Sequence, residues 1–398
     1  MMFYGNERIV LVSGARTPVG KYGGSLAGTD NHLLGAHAYR AAVERAGVAS
    51  PDIDEVIVGC VGQVGGDAFL ARRISLEAGA RLDSTAMTVN RLCGSGLQAL
   101  HSGAMELMRG DANLVVAGGS ENMSRQPFMD FNARNGWRLG DHTLVDGTMS
   151  LVTDPFSGGP MGLTAEKVAR EFGISRADQD AFACESQKRA DAAQKAGFFV
   201  DEIAPISVRQ GKNEVLFEAD EHLRPETSVE SLSRLRPAFL RDEGASVTAG
   251  NSSGINDAAA MLVMTTERHA KDKGLPILGE FVDFVKTGVH PDIMGYAPRY
   301  AIEQLLSRHS MSVADMDWVE LNEAFAAQAL AVIRDAKLDP EKTNPMGGAI
   351  ALGHPVGATG AILTLRALLA LRRTGGEHAL VTMCIGGGQA VAALIRAL

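Results

Sequence analysis

Short apolar, β-branched runs alternate with amphipathic stretches along the first 120 residues. Residues 8–13, 55–60 and 112–117 read as strands, and 31–46 and 68–78 as helices. Near residue 90 an apolar run containing Met87 and Val89 enters a cysteine set among glycines, Cys93-Gly94-Ser95-Gly96, and helix-forming residues continue to about Met108. That pattern predicts strand, tight turn, helix. Strands alternating with helices imply a mostly parallel sheet covered by helices. From 121 to 249 the texture changes: Gly-, Asp- and Asn-rich turns surround two charged amphipathic helices over 164–172 and 176–196, with Ser175 placed to cap the second. An insertion of that size is usually functional. After residue 249 the α/β texture returns. An Ala-rich stretch to Met264 reads as helix or strand, strands are expected at 277–285, 318–321 and 379–383, and helices around 298–309, 323–333 and 357–371.

The two ends share an outline of strand, Gly-rich turn, helix of about four turns, strand and glycine cluster. In the first half these are Val89, 94–96, 97–109, 114–117 and Gly118-Gly119; in the second they are Ile350, 357–360, 361–373, 380–383 and 386–388. A duplicated α/β domain with a site shared between halves is expected. Its N-terminal half would be 1–120 with 250–270, the inserted loop domain 121–249, and the C-terminal half 271–398.

Composition narrows the function classes. At 398 residues, with 45% apolar and 21% charged side chains, the chain can bury a sizeable core. A net charge of −9 argues against a general nucleic-acid binder. The four cysteines (Cys60, Cys93, Cys184, Cys384) show no disulfide or CxxC spacing, and 1–21 has no charged-then-apolar leader, so a reducing, cytoplasmic setting is expected. No apolar run approaches the roughly 20 residues that span a membrane. The ten histidines lack metal-ligand spacing, so no metal is expected.

Chemistry concentrates in four places. A thiol at the start of a helix meets unpaired N–H groups and the positive end of the dipole, which favour the thiolate. Taken alone, Cys93 reads equally as a nucleophile or as a small packing cysteine. Gly353-His354-Pro355 places a histidine in a turn before a helix, where a structural turn histidine is the plainer reading. Cys384-Ile385-Gly386-Gly387-Gly388 ends a strand in free N–H groups, and Asn322-Glu323 follows another strand, where Asn322 reads alternatively as a helix cap. One cysteine with one histidine suggests acyl transfer. Two cysteines in glycine turns ask for a thiol-level acid/base as well.

Together the stretches 89–96, 250–257, 322–326, 347–360 and 384–388, in that order, make the chain resemble the thiolase family nearly end to end. The resemblance implies five layers, α-β-α-β-α, from two βαβαβαββ halves plus the loop domain. It implies a homotetramer or homodimer using acyl-CoA, 3-ketoacyl-CoA and free coenzyme A as substrates or products, with no permanently bound cofactor, in fatty-acid metabolism such as β-oxidation. Carried over, Cys93 is the acyl-accepting nucleophile, His354 its base and Cys384 the acid/base for the α-proton. His354 and a water on Asn322 serve the enolate oxygen; the N–H groups of Cys93 and Gly386 serve the tetrahedral intermediate. Ser253 matches a pantetheine contact, Arg224, Ser231, Leu235 and Ala249 match nucleotide-end positions, and Met161, Met294, Ala324 and Phe325 match the pocket lining. An acyl-CoA:acetyl-CoA C-acyltransferase acting by ping-pong thiolysis, or by Claisen condensation in reverse, is expected.

Two positions depart from the pattern. Pro160 stands where acetoacetyl-type members commonly have histidine, which leans away from a strict acetoacetyl-CoA enzyme toward broader 3-ketoacyl-CoA use. Met346 replaces a common asparagine, so a hydrogen bond is expected to be missing there. Decarboxylating and HMG-type condensing relatives place His, Asn or Glu where Cys384 sits, and a non-catalytic CoA- or lipid-binding scaffold would not require both thiols with His354.

Overall fold

The computed structural model describes residues 7–398; the first six residues, part of the segment read as lacking a leader, lie outside it. The first half runs β1 (Ile9–Arg16), α1 (Asn31–Ala46), β2 (Glu55–Gly59), α2 (Leu70–Glu77), β3 (Thr85–Val89), α3 (Ser95–Arg109) and β4 (Leu114–Asn122). After a long excursion that includes α4 (Gly162–Glu171) and α5 (Arg176–Lys195), β5 (Asn256–Thr266) completes it. The second half runs β6 (Gly279–Gly288), α6 (Pro298–Arg308), β7 (Trp318–Leu321), α7 (Ala326–Asp335), α8 (Thr359–Thr374), β8 (His378–Ile385) and β9 (Gln389–Arg396). The Ser175 hydroxyl accepts from the Asp178 N–H and caps α5 as expected.

The duplication is visible in strand order. The first half pairs as β3-β2-β4-β5-β1 and the second as β7-β8-β9-β6, with Thr343 bridging Val319 in parallel outside β7. Numbered within each half, both orders are 3-2-4-5-1, and the third strand of the second half has shrunk to that one bridge. The strand expected around Ile350 is instead a helical turn, Ala349–Leu352. Its Ala-Ile-Ala-Leu run is apolar because it is buried, and apolarity alone does not tell a strand from a short buried helix. The sheet is mixed rather than mostly parallel. Pairings β2–β3, β2–β4 and β7–β8 are parallel, whereas β5 and β9 return antiparallel beside β4 and β8. β1 and β6 join the halves edge to edge, Val10 opposite Glu280 and Leu11 opposite Gly279.

Alternation along the strands builds the layers. Ile9 and Leu11 face a central core with α3 and α8, while Val10 and Val12 face α1. On β9, Val391, Ala393 and Ile395 point to the same central core, and Ala390, Ala392 and Leu394 to α6 and α7. Strands buried on both faces read as continuous apolar runs, which is why β5, with Ala258–Ala260 inside it, was ambiguous by pattern. The resulting stack is α-β-α-β-α.

Buried charges fasten the excursion to this stack. Fully buried Arg16 on β1 pairs with Glu202 and Asp220, both at 2.7 Å, and Arg366 of α8 reaches Glu202 at 3.3 Å. The two carboxylates hold Arg16 ionised despite its burial.

Candidate active site

Three turns, drawn from both halves, meet at one place. The first follows β3. Asn90 Oδ1 accepts from the Leu92 N–H at 2.9 Å, and the Ser95 hydroxyl accepts from the Arg91 N–H at 2.9 Å while donating to the Leu92 carbonyl at 2.6 Å. These bonds hold Leu92 in the left-handed region at φ 47°, an uncommon conformation for a branched side chain. Cys93 comes next, half-buried, against Val61 and Val356.

The second turn carries His354, buried, with its N–H donated to Asn256 Oδ1 at 2.9 Å. Its Nδ1 lies 2.7 Å from the Thr359 hydroxyl, whose own proton goes to the Pro355 carbonyl at 2.9 Å. The hydroxyl therefore accepts, Nδ1 carries the ring hydrogen, and Nε2 keeps its lone pair. Asn322 Nδ2 donates toward that Nε2 at 3.4 Å. Burial pushes His354 down to about 4, so its imidazole is neutral at ordinary pH.

The third turn ends β8. Cys384 is fully buried and packs with Met294 and Ala324, bordered by Met161 and Phe325. Burial pushes its thiol up, and negative charge on Cys93 pushes it further, which places the two sulfurs within each other's field. The Gly386 N–H and the N–H of Cys93 itself bond to the Cys93 sulfur. A methyl group at Gly386 would stand 2.8 Å from the flexible end of Met161, so a larger residue there would push on the pocket lining beside this N–H. Those donors favour the thiolate, yet burial outweighs them and the Cys93 thiol is pushed up to about 11. The thiolate expected from the helix start is thus corrected: the resting pair is a thiol and a neutral imidazole.

Asn322 is not a helix cap. It follows β7, its N–H donated to the Thr382 carbonyl at 3.0 Å, and α7 begins four residues later with Phe325 as the capping position. Its Oδ1 is buried without a partner among the described residues, which suits a group that completes itself with water or substrate. Its neighbour Glu323 turns away as a strut, accepting from Ser186 at 2.7 Å, Asn344 at 2.9 Å and the Ile350 N–H at 3.2 Å. Asn344 supplies that bond two residues before Met346, which is itself buried in the central core.

Arg224, Ser231, Leu235 and Ala249 line one cavity of about 370 Å³, together with Gln187, His222 and Thr227. The Ser253 N–H is donated to the carbonyl of Ala324, which packs against Cys384, at 3.0 Å. Met161, Met294, Ala324 and Phe325 surround Cys384. Sequence reasoning missed Thr359, Asn256 and His222. Thr359 carried a usable signal, a hydroxyl one helical turn past the Gly-His-Pro turn.

A half-buried thiol, a buried thiol, a neutral imidazole with a fixed tautomer and an amide oxygen left free of protein partners among the described residues are the makings of an enzyme for acyl transfer. Comparison with known proteins agrees. Residues 9–268 match the model for the thiolase N-terminal domain and residues 275–397 that for the thiolase C-terminal domain. The beta-ketothiolase BktB of Cupriavidus necator is 46% identical, covering 98% of this chain and 99% of that protein. An acetyl-CoA acetyltransferase of Rhizobium meliloti is 44% identical over 99% of this chain and 100% of its own length. Among solved structures, human mitochondrial 3-ketoacyl-CoA thiolase in complex with CoA superposes with a TM-score of 0.95 at 40% identity, covering 100% of this chain and 99% of that one. The chain belongs to the thiolase family, and it is an acyltransferase.

Proposed function

We propose that this thiolase cleaves 3-ketoacyl-CoA by ping-pong thiolysis through an acyl-Cys93 intermediate, and condenses acyl-CoA with acetyl-CoA in reverse. The observation that carries this reading is the fixed tautomer of His354, which keeps the lone pair on Nε2, on a turn whose Val356 packs in the same cluster as Cys93. His354 takes the Cys93 proton as the sulfur attacks the 3-keto carbon. The C2–C3 bond breaks, its electron pair forms the acetyl-CoA enolate, and Cys384 delivers a proton to that carbon. Cys384 then takes the proton of incoming coenzyme A, whose thiolate attacks the acyl group, and the departing Cys93 sulfur recovers its proton from His354. Charge on oxygen is met by His354 and a water on Asn322 in the enolate step, and by the N–H groups of Cys93 and Gly386 in acyl transfer.

Coenzyme A would lie with its nucleotide end against Arg224, Ser231, Leu235 and Ala249 and its pantetheine past Ser253. Arginine suits the phosphate. The adaptable Met161 and Met294, with Ala324 and Phe325, suit a range of acyl chains, in keeping with Pro160 and a broader 3-ketoacyl-CoA range. We read the loop domain as 121–249 between halves of 1–120 with 250–270 and 271–398, working in the cytoplasm as a homotetramer or homodimer. Acid quenching during turnover with a 3-ketoacyl-CoA should leave an acyl mass on the Cys93 peptide; an unmodified Cys93 under those conditions contradicts the reading.

The tautomer gives a second prediction. Thr359→Val keeps the side-chain volume but removes the acceptor for Nδ1–H. Turnover is expected to fall about tenfold or more, in line with the loss of a group that orients a catalytic side chain, while the KM for coenzyme A stays near its original value. Thr359→Ser should restore activity, and failure of that rescue would count against the assigned tautomer.

A further inference from the structure

Glu121, at the end of β4, is a fully buried carboxylate with no arginine or lysine bonded to it among the described residues. Its oxygens accept from the Val61 N–H at 2.8 Å and the Gly62 N–H at 3.0 Å, and the Cys60 thiol donates to it at 3.6 Å. The Gly357 N–H also bonds to it. A methyl group at Gly357 would stand 2.5 Å from Oε2, so glycine is required for that approach. Val61 packs against Cys93, and Gly357 lies three residues past His354. A solvent-free carboxylate is costly unless its bonds repay it, and here every bond goes to backbone or thiol around the reacting pair.

We propose that Glu121 is a positioning residue for acyl transfer: its carboxylate clamps the segment beside Cys93 to the turn carrying His354, and its negative charge sets the field at the nucleophile. This rests on Cys93 being the nucleophile. Burial pushes Glu121 up to about 7; burial is also the main cause that raises the Cys93 thiol, and the charge on Glu121 adds to it. Of the neighbouring titratable groups, Cys60 bonds to Glu121 and is itself faced by Asp67, and the charge on Cys93 acts on Cys384 across the site.

The experiment uses the full chain as Glu121→Gln and Glu121→Asp, with steady-state thiolysis and the pH dependence of Cys93 alkylation by iodoacetamide. Gln removes the charge and presents an amide to N–H donors. Its kcat should fall about tenfold to a hundredfold, the loss that misplacement by about 1 Å costs, and its alkylation midpoint should move down, because removing a like charge favours the thiolate. Asp keeps the charge on a shorter arm, so kcat should fall while the midpoint moves by less than in Gln. Lost activity with an unmoved midpoint in Gln would reduce Glu121 to fold support and overturn the proposal, as would wild-type kcat. If Gln does not fold, Asp decides, since wild-type kcat there overturns the clamp. Failure of the underlying reading shows separately, as full thiolysis by wild-type protein alkylated at Cys93.

Discussion

Cys93→Ala should lose thiolysis by about 10⁴-fold or more, the order of loss when a nucleophile is removed from beneath its base. The expectation follows from the division of labour in the site. Cys384 is too deeply buried to replace the missing sulfur, and His354, neutral and fixed through Thr359, has no second thiol to deprotonate in the open part of the pocket. Coenzyme A should still bind, because the cavity around Arg224 and Ser231 does not include Cys93. Limiting iodoacetamide should reach Cys93 before Cys60, Cys184 or Cys384, which are all buried. Because the Cys93 thiol is pushed up to about 11, its alkylation should quicken as pH rises toward that value. Normal thiolysis by the alanine variant would refute the mechanism outright.

Cys384→Ser separates the two half-reactions. A serine hydroxyl is far too weak an acid to stand in for a thiol near neutral pH. The variant should still accept an acyl group on Cys93 from acyl-CoA, but exchange of the acetyl-CoA α-proton with solvent deuterium should fall by about 10² to 10⁴-fold. Mass spectrometry reads the first and NMR the second. Retained exchange would remove Cys384 from the proton path and leave His354 as the only candidate for it.

Much of this was legible in the chain because local rules and tertiary packing agree there. Helix 31–46 and strand 318–321 fall where the pattern put them, and the two cysteine turns and the histidine turn lie next to glycines that mark them. What was hidden depends on partners far away in sequence. β9 went unread because Gln389–Arg396 follows three glycines and looks like the tail of a turn, yet it is the central link between β8 and β6. The hairpin of Ile206–Gln210 and Asn213–Phe217 also escaped, its second strand being exposed and without clean alternation. At Cys93 the local reading counted on helix-start donors alone, whereas one donor, the Gly386 N–H, comes from the opposing turn, and desolvation is set by Val61, Val356 and that turn rather than by the helix start.

The Arg16 cluster has a bearing on how this enzyme can be altered. Removing one member of a buried ion group costs about 3–5 kcal/mol, because its partner is left unpaired. Glu202 and Asp220 belong to the excursion, while Arg16 and Arg366 belong to the two halves beneath it. An engineer who transplants the excursion from a relative to change which acyl chains are accepted would therefore be moving half of a lock. The portable module is the excursion together with Arg16 and Arg366, matched as one set.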